Sequence, residues 1–261
     1  MAAHIGNCKL CLSKEIELRD SHIIPKWAYR TVRGDSKDIV RLSKNVLKYT
    51  DQQLKEYLLC EKCEQKIGVR ENYVKSISFD AEGQSQAINL LNYSIGRSNN
   101  SDKFAYTDAS PLDRDCIAYF AASVVWRASI LSKSGNVVSL DPYQKELRNY
   151  LEEKAEFPKE ASLLVYFHDP YHEPIYNQLL TSPVTDKLDK CHLHQFFCAG
   201  VLYKLFIGKT IPDTIKKFCL IRREDPFIIW TSFHHDPTMD RVKKTLGAAE
   251  IRGRLAERKY S

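Results

Sequence analysis

Two pairs of cysteines constrain this chain more than any other feature. Cys8 and Cys11 form one C-x-x-C, and Cys60 and Cys63 form a second. Thiolates at i and i+3 of a tight knuckle supply two tetrahedral ligands with little strain, so two knuckles brought together make a closed four-thiolate site for one structural Zn²⁺. Such a site contributes about 10–16 kcal/mol of apparent folding free energy, which a short segment with little core of its own would depend on. The opposite reading is four reduced thiols that never meet. The other four cysteines, Cys116, Cys191, Cys198 and Cys219, are scattered. The opening stretch MAAHIGNCKLC has neither a basic n-region nor an apolar h-region. Paired thiols are therefore read as metal ligands rather than disulfides, and the cytoplasm is the expected compartment.

Periodicity fills in the rest. Between the knuckles lies Ser21-His22-Ile23-Ile24-Pro25, where proline keeps a helix out of the short apolar run. Residues 28–56 are polar and basic and read as a short helix followed by an irregular segment. LKEYLLC, 54–60, reads as a strand entering the second knuckle. Cys63, Ile67, Val74 and Ile77 recur at helical spacing over 61–78. Residues 81–110 contain many Asn, Ser, Gly and Asp residues and read as a linker, with 94–111 a loop. A strong helix is expected over 111–132, with Ser110 as N-cap and Pro111 in first position, and an amphipathic one over 141–157. Strands are expected at 161–167, within 192–208, at 217–223 and at 227–233. A basic helix interrupted by Gly247 and Gly253 closes the chain. The fold class is α+β: a zinc-bound module over 1–80, the linker 81–110, and a domain over 111–261 with helices packed on an antiparallel sheet. No run approaches the roughly 18 apolar residues that span a bilayer.

Charge is uneven along the 261 residues. Residues 1–75 carry 15 Lys/Arg against 10 Asp/Glu, and residues 240–261 carry 7 against 3, within a total of +6. Basic ends around an acidic middle suit a polyanionic partner; an unevenly charged solvated surface is the plainer alternative. Lys26, Arg30, Arg33, Lys37, Arg41, Lys44 and Lys48 are interleaved with Trp27, Tyr29 and Tyr49. That mixture suits a surface that tracks a nucleic-acid backbone, or a soluble charged loop.

A C-x-x-C, a strand carrying His-Ile-Ile-Pro, and Leu-Leu-Cys-x-x-Cys opening a helix together resemble the HNH, or ββα-metal, endonuclease superfamily. The arrangement is similar to the zinc-stapled phage endonuclease VII-like resolvases, and the resemblance covers residues 8–75. It implies a phosphodiester hydrolase acting on nucleic acid, DNA rather than RNA, with a structural Zn²⁺ and a separate catalytic Mg²⁺ or Mn²⁺. Some bacterial HNH proteins pair Ser-His-Ile-Ile-Pro with a Cys-x-x-Cys-Glu helix, which implies antiviral defence as a setting.

The site residues follow from that resemblance and from what hydrolysis requires: a proton acceptor for the attacking water, and positive charge on the leaving oxygen. His22 is the expected base. The position before it is commonly Asp or His in the superfamily; here it is Ser21, a poor ligand. The position after the last cysteine is often Asn or His; here it is Glu64, a strong ligand for the catalytic ion. Glu71, two helical turns on, shares the face of Glu64. The expected arrangement has His22 and Glu64 facing each other across a small basic cleft. One His22 ring nitrogen should be bonded to a backbone carbonyl or carboxylate. The alternatives are a solvated Glu71, a structural His22, and a catalytically decayed zinc module that binds nucleic acid or a protein partner. The C-terminal domain would then serve a target, a regulatory partner or a second protomer. Arg127 reads as part of a helix-end ion pair able to approach the module. Three further clusters read as loops or core rather than sites: His168/Asp169/His172/Glu173, His234/His235/Asp236, and Cys191/His192/His194/Cys198.

Overall fold

A computed structural model of the chain describes residues 3–33, 39–43, 46–50, 53–80, 84–91, 104–132, 138–168, 179–222, 224, 226–231, 240, 244 and 250–251. The fold is mixed α+β. The N-terminal part begins with β1 (Ile5–Gly6) and β2 (Ile16–His22), followed by α1 (Lys26–Arg33), β3 (Ile39–Ser43), β4 (Val46–Thr50), β5 (Lys55–Cys60) and the long α2 (Glu61–Ile77). Strands β1, β2 and β5 form one antiparallel sheet, with His22 opposite Lys55 and Leu18 opposite Cys60. The β2–β5 ladder slips between Arg19 and Asp20, leaving Leu58 as the extra residue. That bulge has two consequences. The Leu58 carbonyl turns to accept the N–H of Lys9 at 2.9 Å, which docks the first knuckle. On β2, burial jumps from Leu18 to Ser21, three residues rather than two, so Ser21 faces inward and His22 lies half-open beside it.

Helix α2 buries Cys63, Ile67, Val74 and Ile77 on one face, as the spacing predicts. It then passes through α3 (Gln86–Leu90) and β6 (Phe104–Asp108). Both elements fall inside the stretch read as a linker, and β6 corrects the loop expected over 94–111: it pairs with a strand far along the chain, a partner that local composition cannot reveal.

Helix α4 (Arg114–Ser129) starts three residues later than expected. Asp113, rather than Ser110, is its N-cap, with its carboxylate accepting from Cys116 N–H at 2.8 Å. Every residue from Ile117 to Ser129 is buried, so this is a central helix packed on all sides. Next come α5 (Gln144–Leu151), shorter than the 141–157 expected, β7 (Ala161–His168), β8 (Val184–Lys187), β9 (His192–Cys198), β10 (Val201–Ile207), α6 (Asp213–Lys216), β11 (Phe227–Thr231) and β12 (Glu250–Ile251). The strand expected at 217–223 does not form over 217–222, where turns follow α6, and the Leu220 N–H reaches the Leu163 carbonyl at 2.9 Å; residue 223 lies outside the described residues.

The large sheet has the order β6-β11-β7-β10-β9-β8. It is mixed rather than antiparallel, because β11 runs parallel to β7. β9 and β10 join through Ala199 and Gly200, both at positive φ, the tight turn that matches strand twist. The segment expected to be irregular after α1 instead forms the β3–β4 hairpin, which β12 extends in parallel. The expected C-terminal helix is thus corrected at Glu250–Ile251, while Gly247 and Gly253 lie outside the described residues. One cluster of buried apolar side chains runs from Cys8 and Leu59 through α2 and α4 to Phe167 and Trp230.

Candidate functional site

The two knuckles meet. The bulged β2–β5 hairpin holds Cys60 at the end of a strand and Cys63 in the first turn of α2, and the first knuckle folds over them. The four Sγ atoms lie within 4.8 Å of one another, and Cys11 Sγ is 3.8 Å from Cys60 Sγ. A tetrahedron with Zn–S bonds of about 2.3 Å has sulfurs about 3.8 Å apart, so the donor set and its spacing fit zinc. The Cys60 N–H points at Cys8 Sγ at 3.3 Å, the kind of contact that favours a thiolate. A hydrogen bond from Cys63 is the main reason the Cys8 thiol is pulled down to about 4, and the Cys63 thiol is pushed up in exchange. Among the described residues this is the only group of three or more His, Cys, Asp or Glu side chains close enough to hold an ion.

The second feature lies one strand-length away. His22 ends β2 and is half-buried, with Nε2 2.7 Å from Gln53 Oε1. The ring partner is therefore a carboxamide and not the expected backbone carbonyl or carboxylate. Gln53 belongs to no motif, and only the strand register could have pointed to it. An oxygen acceptor at Nε2 places the proton there and leaves a lone pair on Nδ1. Burial holds the imidazole below its ordinary range, Gln53 and Asp20 work the other way, and Lys55 and Lys26 add to the depression.

Ser21 is buried, and its hydroxyl donates to the Arg19 carbonyl at 3.3 Å. It also lies close enough to Glu64 to favour the carboxylate. Burial nevertheless raises the Glu64 pKa, Arg127 opposes the rise and Glu71 adds to it. Glu64 Oε1 is enclosed with no hydrogen-bond partner among the described residues. The structure thus brings the end of β2 and the first turn of α2 together through Ser21 and Glu64. Glu71 is not a solvated charge: its Oε1 accepts from Arg127 Nη2 at 2.7 Å.

Helix α1 follows directly. Lys26 and Arg30 are exposed, Arg33 is half-buried, and the three lie at helical spacing on one face. The helix also presents Tyr29, whose ring centroid is 6.4 Å from that of His22. Arg41 and Lys48 sit on β3 and β4; their side chains, and Lys37 and Lys44 altogether, lie outside the described residues. His168 is fully buried at the end of β7. Asp169, His172, Glu173, His234, His235 and Asp236 lie outside the described residues. His194 is buried with Nδ1 2.9 Å from Thr185 Oγ1, and Cys191 packs with Leu164, Phe206 and Ile211. Cys198 belongs to the main apolar cluster, so core packing accounts for these positions.

None of the helices described is long and apolar enough to cross a membrane. Comparison of the chain with protein-family models, with curated proteins and with solved structures gave no match.

Proposed function

We propose that the chain is a metal-dependent endonuclease of the HNH, ββα-metal type, with Zn²⁺ at the four cysteines and His22 as general base. The observation that carries this reading is the order of parts. A hairpin bears His22, a helix begins at the last knuckle, and Ser21 touches Glu64 where strand and helix meet. With its proton on Nε2 and its pKa depressed, His22 is neutral at pH 7 and can take a water's proton through Nδ1. Glu64 offers an unpartnered carboxylate oxygen to a hard cation. One carboxylate, water and a substrate phosphate are the usual company of Mg²⁺, so a sparse protein ligand set suits Mg²⁺ or Mn²⁺. Such an ion would supply positive charge at the scissile phosphate. Lys26, Arg30 and Arg33, on the helix that follows His22, suit a phosphate backbone; Arg41, Lys44 and Lys48 are proposed to contribute to the same binding. DNA is the favoured substrate, antiviral defence the proposed setting and the cytoplasm the proposed compartment. A second protomer or a regulatory protein is the proposed partner of the sheet.

The test is cleavage of plasmid and of labelled single strands with Mg²⁺ or Mn²⁺, beside His22→Ala. Cleavage that the substitution abolishes, with zinc content unchanged, supports the reading; cleavage that survives it removes His22 from the mechanism. One observation favours a second reading, a zinc module that binds nucleic acid or a protein without cutting. Glu64 is largely enclosed against the buried Ser21. Metal-independent binding without cleavage by the wild-type chain would select that reading.

A further inference from the structure

We propose that Arg127 is a positioning residue: from the central helix α4 it fixes the strand end that carries His22 against the helix that carries Glu64. This rests on the nuclease reading of those two residues.

Arg127 is 1% exposed, on a helix whose other buried residues are chiefly Ala, Val, Phe, Tyr and Trp. Packing alone gives no reason for a guanidinium there, because enclosing a charge is costly and an apolar side chain of similar length would fill the space. Its fork is divided between two elements. Nη1 donates to the His22 carbonyl at 2.6 Å, and Nη2 donates to Glu71 Oε1 at 2.7 Å. Nε donates to the Ser123 carbonyl at 3.3 Å, one turn back on α4, which sets the plane of the group. The planar, rigid spacing of these donors is what a lysine lacks.

The His22 end of this clamp is free of the sheet. At the next rung, the Ile23 N–H reaches the Leu54 carbonyl at 3.0 Å. Ladder bonds alternate in an antiparallel pair, so the His22 carbonyl turns away from β5 and toward α4. Holding that carbonyl fixes the backbone torsions from which the imidazole projects, while Gln53 fixes the ring itself. At the other end, Glu71 lies two turns along α2 from Glu64, on the same face. One side chain therefore sets the spacing between the proposed base and the proposed ion ligand. Glu71 becomes the counter-ion of the clamp rather than a ligand of the catalytic ion.

The experiment uses the full chain with Arg127→Lys, and with Arg127→Met combined with Glu71→Met so that no buried charge is stranded. Zinc content and thermal midpoint are measured first, then kcat and KM on duplex DNA with Mn²⁺. Nitrogen-15 spectra of the His22 ring are recorded without substrate. In the paired variant zinc and melting should stay close to wild type. The expected result is a kcat lower by roughly 10- to 100-fold, up to the loss that about 1 Å of misplacement of a catalytic group gives, with KM within about threefold. The His22 ring signals should shift or double as its single tautomer and orientation are lost. A kcat and ring signals equal to wild type in the paired variant overturn the proposal, as does a change confined to KM. If the wild-type chain cuts nothing, the nuclease reading falls, and the ring signals alone decide whether Arg127 positions His22.

Discussion

The hairpin module of β1, β2, β5 and α2 and the six-stranded sheet behind α4 are stabilised by different means. In the module, four thiols converge at one point, and exposed ion pairs such as Arg19–Glu61 and Lys55–Asp20 decorate the strands. Exposed pairs of this kind are worth little, so its geometry rests on the thiol cluster, with the zinc proposed for it, and on contacts with α4. In the sheet, β7 and β10 are buried almost end to end, and Phe79, Phe167 and Trp230 pack ring against ring. Its stability comes from area and close packing. The lesson is that the half-open His22 sits in the region held by a few strong points, while the other region supplies the wall, through Arg127, on which those points are braced.

The largest break in this comparison should come from the metal. Chelation, or Cys60→Ser, removes a term of about 10–16 kcal/mol. Hydrogen exchange should then show protection lost from β2, β5 and the first turns of α2 but kept in β7, β9 and β10. Equal loss throughout would mean that the two regions unfold as one unit. The converse cut is Phe167→Ala, a fully buried ring in the sheet. It should cost about 3–5 kcal/mol in a denaturant titration without changing zinc per chain. Zinc loss alongside would show that the module depends on the sheet.

A smaller effect concerns protons. The folded chain holds His22 below its ordinary 6.5, so it binds this proton less readily than the unfolded chain does. The stability linked to His22 is therefore present above the unfolded value and is lost as pH falls through the folded one. Under the proposed mechanism cleavage needs the neutral ring, so its acid limb should lie below pH 6.5, and a limb above that value would contradict the depression. Glu64 has the opposite sign: burial raises it, so its charge opposes folding at neutral pH. Glu64→Gln should melt no lower than wild type at pH 7.5 while losing the response to Mg²⁺. A large drop in melting temperature would make Glu64 structural. The smallest effect is at Leu12, 52% exposed and at φ 61, where L residues are strained. Leu12→Gly should shift stability by no more than about 1 kcal/mol, because relief of that strain and the freer unfolded chain oppose each other. A larger loss would mean that the exposed side chain packs against something.

The sequence alone determined the thiol cluster, because C-x-x-C geometry is local and four such ligands have one economical solution. It also determined the helices α2 and α4 and strand structure within 192–208, each written in apolar patterning that neighbours on the chain enforce, whereas the pairing of β9 with β10 and the burial of α4 on every side came from the fold. Tertiary structure alone decided the rest. Phe104–Asp108 became a strand because β11 offered it an edge, and 217–222 stayed outside the sheet, where both sides of β7 are taken by β10 and β11. The His22 ring found Gln53 across the strand register, and Glu71 found Arg127 across a helix pair. A side chain's periodicity says which way it faces along its own element. Its partner is set by where a distant element comes to lie, and that is fixed only when the core closes.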